Sequence, residues 1–249
     1  MSSPFEVLVL GVGDTFSEVH NPTALVLCCE GHHLAVDCPD MYRKVLKDFR
    51  ESSGRDLQLS DIDDFLITHV HGDHINGLEG VAFFNRFALQ NRTRVHTIPE
   101  LASVLWRERL QQSMGAIWNG EARTSMQAQD YFDLQQLDWG AEHAVGPFRI
   151  QIRLTKHHVP TAALLVSAGG RTLGYSADTA FDESLIDFLA PADLIIHETN
   201  LGVAHTPLGE LEALPEDLRQ KLRLIHYPDG LDVSAASIVA LREGDVLEV

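Results

Sequence analysis

The sequence has no run of 18 apolar residues, so nothing in it reads as a membrane-spanning helix. Its start, MSSPFEVLVLGVG, has no basic stretch ahead of the apolar one, which is only strand-length, and no secretory signal is expected. Cysteine is scarce: Cys28, Cys29 and Cys38 are an odd number, two of them adjacent, with no C-x-x-C pair. That argues against a disulfide framework and for reduced thiols in a cytoplasmic protein. Basic residues are few as well. Nineteen Lys and Arg face 36 Asp and Glu, for a formal charge of −17. A surface of that sign repels polyphosphate backbones and anionic lipid, so neither long nucleic acid nor a membrane is an expected partner. There is no repeat at solenoid or propeller periods, and no Pro- or Ser-rich linker divides the chain. With 45% apolar and 22% charged residues, the 249-residue chain is neither disordered nor low in complexity, and it reads as one domain over 1–249.

What is present is a succession of short apolar runs. FEVLVLGV, TALVLCCE and HHLAVDC read as strands, with Glu30-Gly31 as a hairpin turn between the last two. Residues 40–52 read as a helix with Asp40 as N-cap, FLIT (65–68) as a buried strand, and 76–89 and 99–113 as helices. Residues 114–145 have no clean period. Strands return at 148–154, 162–168 and 171–177, with Gly169-Gly170 as a turn, and again at LIIH (194–197) and LRLIH (222–226). Residues 182–189 and 208–221 read as helical, and VLEV closes the chain as a strand. Strands and helices alternate in both halves with hairpins among them, which predicts a mixed α/β architecture.

The other abundance is histidine, 13 residues, and their placement is uneven. In Thr68-His69-Val70-His71-Gly72-Asp73-His74, four potential metal ligands fall within six residues, directly after an apolar strand. In extended backbone His69 and His71 project to the same side. Gly72 permits a tight turn, after which Asp73 and His74 re-enter at the head of the next helix. One segment can thus supply ligands to two neighbouring ions. Chance placement of these residue types after a buried strand is improbable.

HVHGDH resembles the H-x-H-x-D-H motif of the metallo-β-lactamase superfamily. The remaining ligand positions of that family have matches in the expected order: Asp37 in LAVDCP, the doublet His157-His158, Asp178 in GYSADT, and His226 in LRLIHY. Within the superfamily the chain is similar to the tRNase Z branch, which includes small phosphodiesterases. GVGDTF resembles its glycine-rich opening, SADT its S-G-D-T with Ala177 in place of Gly, and IIHETN its H-E-A-T segment with His197 and Glu198 in register. One departure is plain. The tRNA-gripping arm expected between the third His motif and the bridging Asp has no room, because His157 and Asp178 are 21 residues apart and one hairpin fills the interval.

The resemblance implies a four-layer αβ/βα sandwich of two mixed β-sheets with helices on both outer faces and metals at one edge. It implies that His69, His71 and His157 hold one divalent ion, that Asp73, His74 and His226 hold the other, and that Asp178 bridges. Between His157 and His158, family spacing favours His157, three residues before Pro160. Two ions bring +4, Asp73 and Asp178 return −2, and neutral histidines add nothing, so the site is a local positive well suited to a small anionic substrate. Such a pair would acidify a water held between the ions, giving a bridging hydroxide for attack on phosphorus or carbonyl carbon. Zn²⁺ suits the His/Asp donors, with Fe or Mn as alternatives. The catalytic set is read as Asp73, His197 and Glu198, with His197 as proton donor to the leaving group and Asp37 orienting ligands from behind.

The expected function is a binuclear metal-dependent hydrolase of small phosphodiesters. Ester, lactone or thioester hydrolysis and di-iron redox chemistry are the alternatives, and a tRNA 3′ nuclease is disfavoured for want of an arm and basic charge. Residues 75–145 are expected to supply the pocket walls; Trp106, Trp118, Tyr131 and Phe132 are candidates for a cover, although aromatic residues are more often plain core. His20, His96, His143 and His205 stand alone and read as surface or structural residues, His20 or His205 at most reaching the mouth. Oligomeric state is left open, a homodimer included.

Overall fold

The computed structural model describes residues 3–249. Two seven-stranded sheets carry the architecture. The first is built from β1 (Glu6–Gly11), β2 (Ala24–Cys29), β3 (His32–Val36), β4 (Asp64–Ile67), β5 (Thr93–Thr97), β8 (Phe132–Gln136) and β16 (Val246–Glu248), in the order β16-β1-β2-β3-β4-β5-β8. The second is built from β9 (Glu142–Val145), β10 (Phe148–Leu154), β11 (Ala162–Ala168), β12 (Arg171–Tyr175), β13 (Leu194–Glu198), β14 (Leu222–Ile225) and β15 (Val239–Ala240), in the order β15-β14-β13-β12-β11-β10-β9. A separate exposed hairpin joins β6 (Ala116–Trp118) to β7 (Arg123–Ser125). Both large sheets are mixed in the same way. Each starts as an antiparallel meander and ends in parallel strands linked by crossovers.

The pattern of burial explains this division. β4 and β13 are buried at every position, as parallel strands covered on both faces must be. β10 alternates, turning Phe148, Ile150 and Ile152 inward and Arg149 and Gln151 to solvent. The inner faces of the two sheets share one core, in which the Phe5 and Phe148 rings lie 5.7 Å apart. On the outer face of the first sheet, α1 (Tyr42–Ser53) buries Tyr42, Val45, Leu46 and Phe49, an i, i+3, i+4, i+7 stripe. A smaller apolar cluster lies under the helix Glu183–Leu189, which covers the second sheet. This is the expected αβ/βα sandwich. Among the described residues, no helix is long and apolar enough to cross a membrane.

Several local expectations are corrected. Asp40 does not cap α1: the N-cap is Met41, in left-handed conformation at φ 54, and no side chain caps the helix. The stretch 99–113 is not one regular helix, because Leu105–Leu110 is wound as a π-turn. The stretch 208–221 is two short helices, Leu208–Glu212 and Glu216–Lys221, separated around Pro215, whose ring cannot continue a helix.

Candidate metal centre

Every ligand-type residue singled out above sits just beyond a strand end or a short turn, all at one edge of the sandwich. Asp37 follows β3, His69 and His71 follow β4, and His74 lies in the four-residue helix α2 (Gly72–Ile75). His157 follows β10, Asp178 follows β12, and His226 follows β14. Three of these turns use backbone that side chains avoid: Asp37 at φ 64, Ala177 at φ 47 and His226 at φ 57 are left-handed. Such conformations cost about 1–3 kcal/mol each and collect at functional sites. At Ala177, where the resembled motif has Gly, the chain tolerates a Cβ in a fully buried turn. The head of α3 (Leu78–Phe87) packs tightly against the turn after Asp37: a Cβ at Gly77 would collide with the Pro39 carbonyl oxygen.

The side chains converge. His69, His71, His157 and Asp178 offer ligand atoms all within 4.8 Å of one another, as do Asp73, His74 and His226. His71 Nδ1 lies 3.2 Å from His69 Nε2 and 3.1 Å from His157 Nε2. Asp178 faces both groups. Its Oδ2 is 3.7 Å from His69 Nε2, 3.7 Å from His157 Nε2 and 3.3 Å from His226 Nε2, while Oδ1 is 3.5 Å from His74 Nε2. His157, not His158, belongs to the cluster. The segment that carries them is a bend rather than a strand, so strand alternation does not govern the pair.

Which nitrogen faces inward is set from behind. Thr68 donates from its amide and its hydroxyl to Asp37, and therefore accepts from His69 Nδ1 at 3.0 Å. His74 Nδ1 donates to Asp37 at 2.7 Å. His226 Nδ1 donates to Thr23 Oγ1, whose own proton goes to the Gly13 carbonyl. His157 Nδ1 donates to the Ala204 carbonyl at 3.1 Å. Four histidines thus have Nδ1 engaged from behind and turn Nε2 toward the same small space. Burial pushes the His69 pKa well down and that of His157 to about 4, which keeps both neutral. His74 moves the other way: burial opposes its charge, but Asp178 and Asp37 outweigh burial and raise its pKa. His74 Nε2 and Asp178 Oδ1 are buried with no hydrogen-bond partner. Facing lone pairs with a carboxylate among them are costly unless a cation sits between. The donor set therefore fits divalent metal.

Asp37 does the orienting with both oxygens, which gives a direct expectation. In Asp37→Asn, a residue that tolerates left-handed backbone, one oxygen is lost as acceptor. Metal affinity should fall about 10–100-fold, as for other groups behind metal ligands. Competition with a chromogenic chelator measures this, and affinity equal to wild type would contradict it.

The proposed proton donor is placed differently from the sequence expectation. His197 is 1% exposed, its Nδ1 donates to the Glu198 carbonyl at 2.7 Å, and it is not among the residues lining the cavity over the cluster. Burial lowers its pKa to about 4. The neighbouring Glu198 instead reaches His205, whose Nδ1 donates to Glu198 Oε1 at 3.0 Å. His205 lines the cavity, and one of its ring nitrogens lies within 4.8 Å of ligand atoms of Asp178 and His226. Burial, and then the charge of Asp178, raise the Glu198 pKa well above its usual range, so Glu198 can retain a proton beside His205. From sequence His205 reads as a lone surface or structural residue that could line the mouth; it does line the cavity, and what the sequence does not show is its pairing with Glu198. The signal for it is Glu198: a buried carboxyl at a strand end needs a partner, and the loop after it returns with Thr206 bonded to Asn200.

The walls also differ from expectation. They come from Thr15, Phe16, Asn200, Leu201 and Pro228, not from residues 75–145. Tyr131 and Phe132 are buried core residues, Trp106 packs on Tyr131, and Trp118 is exposed on the separate hairpin, so none covers the cluster. His20 packs edge-on against Tyr227, away from the mouth.

Comparison with known proteins agrees with the fold. The family model described as anti-Pycsar protein Apyc1 matches residues 5–241. The anti-Pycsar protein Apyc1 of Bacillus phage BSP38 is 32% identical over 240 residues, covering 91% of this chain and 90% of the relative. Among solved structures, the metallo-β-lactamase fold protein YhfI of Bacillus subtilis superposes with a TM-score of 0.77 at 18% identity, over 99% of this chain and 100% of that one. The short form of human tRNase Z gives 0.71 at 19% identity, over 98% of both chains. The chain is an enzyme of the metallo-β-lactamase fold and belongs to the anti-Pycsar Apyc1 family.

Proposed function

We propose that the chain is a binuclear, metal-dependent phosphodiesterase acting on small phosphodiesters, cyclic nucleotides and related cyclic phosphates among them. One observation carries this reading: the carboxylate Asp178 stands in one group of inward-facing ligand atoms and lies 3.5 Å from His74 and 3.3 Å from His226 of the other, and His205 stands on the same cavity wall. His69, His71 and His157 would hold one ion, Asp73, His74 and His226 the other. Divalent ions there, zinc or else iron or manganese, would supply Lewis-acid polarisation of a phosphoryl oxygen and an acidified water.

The chain's own residues do the rest. Asp73 remains ionised, since His74 and His226 outweigh burial and lower its pKa. Asp178 also remains ionised and keeps the two groups in register. The five ring nitrogens and two carboxylates fix where a compact anion can sit, which is the positional part of catalysis. His205, oriented through Nδ1 by Glu198, turns Nε2 toward the departing oxygen, and with both ring nitrogens protonated it would give that oxygen the Nε2 proton and be left as the neutral ring still bonded to Glu198. His197 serves the strand rather than the reaction, and its buried ring holds the Glu198 carbonyl.

The test is a panel of metal-loaded wild type on cyclic nucleotides, nitrophenyl phosphodiesters, carboxylic esters, lactones and thioesters. Diester hydrolysis exceeding ester hydrolysis by at least about 100-fold in kcat/KM is expected, a difference of about 2.7 kcal/mol in transition-state binding. Preference for carboxylic esters would replace this reading with the ester-hydrolase alternative.

A further inference from the structure

The cavity over the cluster has a volume of about 570 Å³, well beyond what a phosphate needs and within the range of pockets that hold whole small ligands. Its floor is polar, made by the clustered histidines and carboxylates. Its outer wall carries Phe16 and Leu201, which are 86% and 73% exposed. An exposed phenylalanine on a loose loop would mean little. This loop is not loose. Gly13 is tied by backbone bonds to Asn21 and Thr23, and a Cβ there would meet the Ser17 and His20 side chains. Asp14, 5% exposed, accepts from the Phe16 amide at 2.9 Å with one oxygen and from Asn200 Nδ2 at 3.0 Å with the other. Asn200 in turn accepts from the Leu201 amide. Glu18 donates its amide to Asp229 at 2.8 Å, closing the far side of the loop. A buried hydrogen-bond relay thus sets the backbone of two exposed apolar residues beside the anion-binding floor.

We propose that Phe16 is the platform on which the substrate's aromatic base stacks, which makes it a specificity-determining residue for base-bearing phosphodiesters. The inference rests on the phosphodiesterase reading above and extends it to the part of the substrate away from phosphorus. The occupant follows from the chemistry on the two sides of the cavity. A group held at the floor by its phosphate must present a flat apolar face to Phe16, and a nucleobase one sugar away from the phosphorus has that form. A ring face stacked on an aromatic side chain gains binding free energy whether or not the base edges are read. Preorganising the ring lowers the ordering cost of that contact.

The experiment compares wild type, Phe16→Ala and Phe16→Tyr on two substrates: a 3′,5′-cyclic nucleotide and the base-free cyclic phosphate of the same sugar. The readout is the ratio of kcat/KM between them. In Phe16→Ala the ratio should fall about tenfold, chiefly through KM on the nucleotide, the low end of what one stacked base contributes. Phe16→Tyr keeps an aromatic face and should keep the ratio. A ratio within about twofold of wild type in Phe16→Ala, or an equal loss on both substrates, overturns the proposal while leaving the diesterase reading in place. A wild-type enzyme that cleaves neither substrate overturns both.

Discussion

Replacing Asp178 by alanine is expected to release at least one metal ion and to lower diester turnover by more than about 100-fold. The floor of that estimate is the 10–100-fold cost of losing a group that merely orients a ligand, and Asp178 stands in the centre. It is 3% exposed, and its two oxygens lie 3.3–3.7 Å from the Nε2 atoms of His69, His74, His157 and His226. Burial alone would neutralise such a carboxyl. The surrounding histidines, His226 and His74 foremost, overcome burial and hold its pKa well below the usual range, so its charge is present throughout the neutral range. Alanine removes the shared ligand and that charge together. Asp178→Asn separates the two effects, because it keeps the shape and loses only the charge. Both variants should show reduced metal by elemental analysis. Two tightly held ions in Asp178→Ala would contradict the assignment of Asp178 as the shared ligand.

His205→Ala is expected to keep its metals and to lose about 10²–10⁴-fold in turnover on diesters with alkyl leaving groups. A nitrophenyl diester should lose much less, because its departing oxygen carries its own charge and needs little protonation. Glu198→Gln should reproduce part of this pattern, since it leaves His205 a hydrogen-bond acceptor but no exchangeable carboxyl proton. His197→Ala should behave in another way. Its ring is enclosed and bonded only to the Glu198 carbonyl, so its loss leaves a cavity of the kind that costs stability and should depress all substrates alike. The discriminating quantity is the alkyl-to-nitrophenyl ratio, with metal content checked in each variant. An unchanged ratio in His205→Ala, or a changed one in His197→Ala, would return the proton donor to His197.

The contrast between these two histidines shows what the sequence can carry. The clustering of the HVHGDH segment, Asp37, Asp178 and His226 was legible because residue types that suit a metal recur at strand ends, and strand ends are visible as the limits of short apolar runs. The two-sheet architecture was legible for the same reason. His205 was not, because its role depends on a loop that closes between Asn200 and Thr206 and returns the ring to Glu198. LIIHE illustrates the converse. His197 and Glu198 are neighbours on one strand and face opposite ways, and which of them turns toward the cavity is a question of register. The walls were misplaced because the irregular stretch 114–145 has no clean period from which to place its side chains. In the fold Tyr131 packs into the core with Phe83 and Trp106, and Phe16, which does reach the cavity, sits in the glycine-rich opening near the start of the chain.

A two-ion centre built from the seven clustered side chains and working on phosphodiesters makes its own stoichiometry and activity testable together. The most direct test is a metal titration of chelator-stripped wild-type protein, following bound ion and hydrolysis of a small cyclic phosphodiester in the same samples. Two ions per chain are expected, with activity that appears only as the second of them fills. Full diester hydrolysis by the stripped protein, or two ions bound with no hydrolysis of any phosphodiester, would contradict it.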